Sequence, residues 1–164
     1  FERIFEDEYF EEFEKLDKTN ENLIYYDLDT EKVIAIEKGG KNKVKISNPV
    51  TLMKLMFAKK DSLVAVHNHP SNLSFSLTDF KTFNNSKELK GIVVRTDEYI
   101  YLLSVGKGSK LKSTKANMKF MEKKFNEIES KMNLKTKTID KVHERNKLFA
   151  KEMGWKYERR RNKE

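Results

Sequence analysis

The chain has 164 residues, of which 37% are hydrophobic, 37% charged and 11% aromatic, with 6 Gly, 2 Pro and no Cys. That length suits one domain with room for an added helical element, and the apolar and aromatic content is too high for a disordered or low-complexity chain. The lack of Cys excludes a disulfide framework, a thiolate metal site and a cysteine nucleophile. It also fits a reducing cytosol, so a cytoplasmic location is expected.

No stretch of about 18 apolar residues reads as a membrane span, and no signal-peptide-like apolar region is present. The chain begins at Phe1 rather than Met, which gives the expectation of a piece of a larger parent protein. The net charge of +8 is uneven: residues 1–106 carry −3 and residues 107–164 carry +11. This asymmetry predicts a near-neutral body with a basic appendage.

In chain order, Phe1, Phe5, Tyr9, Phe13 and Leu16 recur three or four apart between acidic residues, predicting an amphipathic helix to Asp17. Lys18-Thr19-Asn20 breaks it. Leu23–Leu28 and Val33–Ile36 read as strands around the turn Asp29-Thr30-Glu31, and Gly39-Gly40 starts a second turn into a short strand through Val44 and Ile46. Asn48-Pro49 supplies an N-cap and a first-turn proline for a helix to about Lys60. Ser62–His67 is an apolar strand of the kind buried on both faces.

A polar loop from Asn68 to Phe75 leads to Ser76-Leu77-Thr78-Asp79, a capping box with Asp in place of Glu, opening a helix to about Leu89. Gly91–Arg95 and Tyr99–Leu103 are strands around Thr96-Asp97-Glu98, and the order αβββαβαββ indicates an α/β (α+β) mixed sheet ending near Ser104. Gly106–Ser109 reads as a linker. Beyond it, Met118, Met121, Phe125, Ile128 and Met132 form a narrow seam suited to one partner helix. A second helix over Thr138–Met153 stops at Gly154, and Trp155 and Tyr157 are placed to pack on the body. The expected organisation is an N-terminal helix (1–18), a core (19–105) and a basic C-terminal helical hairpin or extension (106–164).

The chemistry centres on His67-Asn68-His69-Pro70, Ser76 and Asp79. Side chains two apart on an extended segment point the same way, so His67 and His69 converge. Asp79, in the first turn of the next helix, can reach the same point. Two imidazoles and a carboxylate with a fourth position open to water are a catalytic zinc set. The zinc deaminase pattern is excluded because there is no His-x-Glu and no cysteine pair. The zincin pattern does not fit either, since its histidines are four apart on a helix.

Val66-His67-Asn68-His69-Pro70-Ser71 followed by Ser76-x-x-Asp79 resembles the JAB/MPN-plus (JAMM) metalloprotease motif, especially its RadC-like branch. The resemblance covers about Glu21 to Ser104. It implies a JAB/MPN-like mixed sheet flanked by helices, with cytidine-deaminase-like layering. It also implies a Zn²⁺-dependent peptidase or isopeptidase acting on a peptide or protein substrate. His67, His69 and Asp79 would bind the metal. Glu21, which precedes Leu28-Asp29 by the family's spacing, would be the general base, ahead of Glu31 and Glu37. Ser76 would stabilise the oxyanion, besides serving as an N-cap.

Two departures from the family pattern stand in the loop. It has six residues between His69 and Ser76 rather than seven, and Asn72 replaces a usual Gly. Asn tolerates a left-handed turn.

His143 reads as a surface histidine. Arg159, Arg160 and Arg161 with the C-terminal lysines form a potential nucleic-acid footprint. The alternative readings are therefore a RadC-like nucleic-acid-associated binding module, or a metal-bound scaffold domain within a larger phage or mobile-element protein.

Overall fold

A computed structural model describes residues 15–41, 43–105 and 115–162. Most of the expected N-terminal helix and the linker Gly106–Ser109 lie outside the described residues. The described chain runs β1 (Asn22–Asp27), β2 (Lys32–Lys38), α1 (Pro49–Phe57), β3 (Leu63–Asn68), α2 (Leu77–Asn85) and β4 (Leu89–Arg95). It continues through β5 (Tyr99–Val105), α3 (Lys115–Met132), α4 (Ile139–Met153) and β6 (Trp155–Arg161). The strands make one six-stranded sheet in the order β2-β1-β3-β4-β5-β6. Only β3 and β4 are parallel, with every other neighbouring pair antiparallel. Parallel neighbours need a crossover, and α2 supplies it.

Strand parity divides the core. Leu23, Tyr25, Leu63, Ala65, Ile92, Val94, Tyr101 and Leu103 share one cluster with Phe75, Phe80, Phe83 and the C-terminal helices. Ile24, Tyr26, Val64, Val66, Val93, Ile100 and Leu102 form a second cluster, joined by Leu16, Leu28 and Val33. β3 is buried along its whole length, as its apolar run requires.

The local signals at the helix starts hold. Asn48 Oδ1 accepts from Val50 N–H at 2.9 Å with Pro49 in the first turn, and Ser76 and Asp79 form the reciprocal capping box of α2. Both helices are shorter than expected. Ala58 has extended backbone and ends α1 at Phe57. The expected end of α2 near Leu89 is also displaced, because Leu89 pairs with Leu63 as the first residue of β4.

The strand expected at Val44–Ile46 is absent. After Gly40 N–H donates to Lys43 O at 3.0 Å, residues 43–48 run without ladder pairing. Val44 and Ile46 instead lay their side chains on the core.

The basic third is built differently from the expected helical extension. Two helices do form, α4 starting from the Thr138 N-cap and ending at Gly154, whose φ of 70° turns the chain sharply. The next seven residues are not helical: β6 closes the sheet edge against β5. Met121, Phe125, Phe149, Met153 and Trp155 share the cluster of Phe80 and Phe83. Phe80 and Phe149 stand 4.7 Å apart between ring centroids, and Phe83 and Trp155 5.1 Å. The seam of α3 is thus used within the chain.

Candidate metal centre

β3 carries the parity of Leu63 and Ala65 onward to His67, so this imidazole faces α2. His69 follows one pleat later, just past the strand. The crossover brings the N-terminus of α2 back to the same strand end, where ligands collect in sheets with parallel strands. His67 Nε2 and His69 Nε2 lie 3.0 Å apart. Asp79 Oδ1 is 3.3 Å from His67 Nε2, and Asp79 Oδ2 is 3.3 Å from His69 Nε2. Both histidines are buried and Asp79 is half-buried.

Each group is oriented by a second bond. His69 Nδ1–H donates to Leu73 O at 2.8 Å, which orients the ring with Nε2 facing Asp79. Ser76 N–H donates to Asp79 Oδ2 at 2.8 Å, and Asp79 N–H donates to Ser76 Oγ at 3.2 Å. Burial opposes ionisation of Asp79, but the two imidazoles outweigh it and hold the carboxyl well below the usual carboxylate range. Burial likewise opposes protonation of His69, yet Asp79, the Leu73 carbonyl and Glu21 raise it. The cluster therefore stabilises positive charge at its centre.

A cleft of about 710 Å³ opens over this cluster, and Glu21, His67, His69, Ser76 and Asp79 all line it. Glu31 and Glu37 do not. Glu31 sits in an exposed turn, and Glu37 is buried on β2. Glu21 is held just before β1, its N–H donating to Gly40 O at 2.7 Å and its carbonyl accepting from Gly39 N–H at 2.8 Å. Burial raises its pKa, with the neighbouring histidines opposing and Asp79 reinforcing that shift.

The shortened loop is accommodated locally. Asn72 takes φ 63°, the left-handed conformation expected of it, and its N–H closes a turn onto His69 O at 2.9 Å. The rest of the loop is pinned by residues far away in the sequence and outside the motif. Phe75 O accepts from Arg145 Nη2 at 2.8 Å and Asn146 Nδ2 at 2.9 Å, while Ser74 Oγ pairs with Tyr157 OH at 3.0 Å. The sequence separations of 70 and more make these invisible to a local pattern.

His143 is half-buried, not a plain surface residue, and its Nδ1 bonds Tyr157 OH at 2.9 Å. Arg159, Arg160 and Arg161 lie on β6, outside the cleft, beside Asp140, Glu158 and Glu98 respectively. Arg159 also stacks over the Tyr99 ring at 4.3 Å.

Among the described residues no helix is long and apolar enough to cross a membrane. Comparisons with family models, curated proteins and solved structures found no match to this chain.

Proposed function

We propose that this chain is a zinc-dependent peptidase or isopeptidase of the JAB/MPN-plus type. The observation that carries the reading is the convergence of His67, His69 and Asp79 at 3.0–3.3 Å beneath a cleft that also holds Glu21. For a tetrahedral ion with bonds of about 2.0–2.1 Å, neighbouring ligand atoms stand about 3.3 Å apart, so the donor set fits Zn²⁺ in both chemistry and spacing. When bound, such an ion lowers the pKa of the water it holds to about 7 and polarises a carbonyl.

The remaining work falls to the chain itself. Glu21, made more basic by partial burial, with the two histidines opposing that shift, takes the proton of the attacking water and passes one to the leaving amine. Ser76 Oγ already accepts from Asp79 N–H, which leaves its hydroxyl proton free to donate to the oxyanion. The loop anchored at Phe75 O keeps Ser76 in place while the charge moves.

Elemental analysis tests the metal and a peptide library tests the reaction. We expect about one zinc per chain, lost in the His67→Ala/His69→Ala variant. Glu21→Gln should keep the zinc and lose roughly 10²–10⁴-fold in cleavage rate. A protein that takes up no metal after incubation with Zn²⁺ would refute the reading. Unchanged cleavage in Glu21→Gln would remove Glu21 from the mechanism.

A further inference from the structure

Between the two candidate ligands stands Asn68, which the motif alone treats as a spacer. It is 6% exposed, and strand alternation sends its side chain away from those of His67 and His69. Its carboxamide is fully employed. Oδ1 accepts from Asn22 N–H at 2.7 Å, and Nδ2 donates to Asn20 O at 2.8 Å and, more weakly, to Lys18 O at 3.4 Å. Asn20 and Asn22 are the neighbours of Glu21 on either side.

The position of these bonds matters. The β1–β3 ladder ends at the pair Leu23 and His67, so Glu21 lies two residues beyond the last backbone pairing on that side. Chain beyond a ladder end frays at low free-energy cost. An asparagine side chain offers the same C=O and N–H pair as a peptide group, and here it adds a rung where the backbone ladder has stopped. On the opposite side, the backbone of Glu21 itself is taken by Gly39 and Gly40. The short segment is thus gripped from the turn after β2 through Glu21 and from β3 through its two neighbours.

We infer that Asn68 is a positioning residue that holds Glu21 over the His67–His69–Asp79 cluster. This rests on the reading of Glu21 as the proton carrier. The triplet His67-Asn68-His69 then serves both halves of the site: alternate side chains build the metal cluster, and the one between them fixes the base. Catalytic groups need placement to within about 0.5 Å, and a misplacement of about 1 Å can cost about 10²-fold in rate.

The test is Asn68→Ala beside the near-isosteric Asn68→Leu, which removes the same hydrogen bonds without opening a cavity and so guards against simple collapse of the smaller variant. Zinc content, kcat and KM are measured, and crystal structures of the zinc-loaded proteins are compared. We expect about one zinc per chain throughout, KM within about twofold of wild type and kcat lower by about 10²-fold. The Glu21 carboxylate should stand at least about 1 Å from its wild-type place while His67, His69 and Asp79 superpose.

A merely structural asparagine would lower stability without splitting kcat from KM. Glu21 unmoved in the variant crystals, or an unmoved kcat, would overturn the inference. A wild-type protein that binds zinc and cleaves nothing would instead refute the peptidase reading. The crystal comparison would still decide whether Asn68 holds Glu21.

Discussion

Two buried polar clusters meet at the same loop, and they are wired in opposite ways. In the cleft, His67, His69 and Asp79 turn ligating atoms toward one another, all within 4.8 Å. Around Phe75, the contacts join donors to acceptors: Arg145 and Asn146 to Phe75 O, Arg145 Nε to Asn146 Oδ1, and Tyr157 OH to Ser74 and His143. Buried donors matched to acceptors hold a chain in place. Two imidazole nitrogens gathered at one point, beside a carboxylate held in its charged form, suit a cation, whether a proton or a metal ion. On the proposed reading the first cluster does the chemistry and the second is framework, although both are buried and both are rich in histidine or arginine.

The sharpest way to break this comparison is a pair of substitutions with reciprocal outcomes. Arg145→Met keeps an apolar stem but removes the bond to Phe75 O and the stacking of the guanidinium 4.5 Å from the Phe125 ring centroid. We expect a loss of about 2–4 kcal/mol, read as a fall in Tm of roughly 5–12 °C, with zinc stoichiometry unchanged. His67→Ala should do the reverse, abolishing zinc uptake while moving the Tm of the metal-free protein by no more than about 3 °C. If Arg145→Met emptied the metal site at temperatures where the chain stays folded, the two clusters would be one functional unit.

That contrast also explains what could be read from the chain in advance. His67, His69, Ser76 and Asp79 fall within 13 residues, so strand alternation and a capping box suffice to bring them together. The same holds for Asn48-Pro49 at the start of α1. The framework cluster has no such signature, because Arg145 and Asn146 reach a carbonyl in a loop 70 residues earlier and nothing local marks them.

β6 was hidden for a related reason. Trp155 and Tyr157 share a face, but the next position of that parity is Arg159, which rests on an aromatic ring and reads as a polar residue. Charge misled in the same way. The excess of +11 beyond residue 106 suggested an appendage, whereas the apolar stripes of α3 and α4 supply a large part of the central core. Charge describes the solvent side of those helices and says nothing of what their other side covers.

A second substitution sharpens the comparison at the edge of the cleft. A Cβ at Gly39 would lie 2.5 Å from Lys43 O and 2.7 Å from Val44 Cα, both backbone atoms that cannot rotate away. Gly39→Ala must therefore shift the turn that holds the backbone of Glu21. We expect about 1–3 kcal/mol of destabilisation, seen as a fall in Tm of roughly 3–8 °C, together with a drop in kcat. Zinc content should stay at about one per chain, since His67, His69 and Asp79 lie on other elements. Loss of zinc in this variant would mean that Glu21 belongs to the ligand set.

The smallest expected effect concerns His143, the histidine of the framework cluster. Burial, reinforced by Arg159, lowers its pKa, with Glu144 and Asp140 opposing and Lys147 adding to the shift. A neutral ring suits its bond, because Nδ1 can accept from Tyr157 OH only when unprotonated. A histidine whose folded pKa lies below the unfolded value of about 6.5 leaves the unfolded state binding more protons at mildly acid pH. Its contribution is then fully present above about pH 6.5 and is lost as pH falls through the folded pKa.

His143→Gln retains an acceptor for Tyr157 and does not titrate. Comparing wild type with this variant, both metal-free, cancels the contributions of His67, His69 and Asp79, which are common to the two proteins. The Tm of wild type relative to the variant should decline between pH 7 and pH 5, by about 2 °C or less. A relative Tm that rose toward acid would mean that His143 is held as a cation, and the framework cluster would then itself be a charged site.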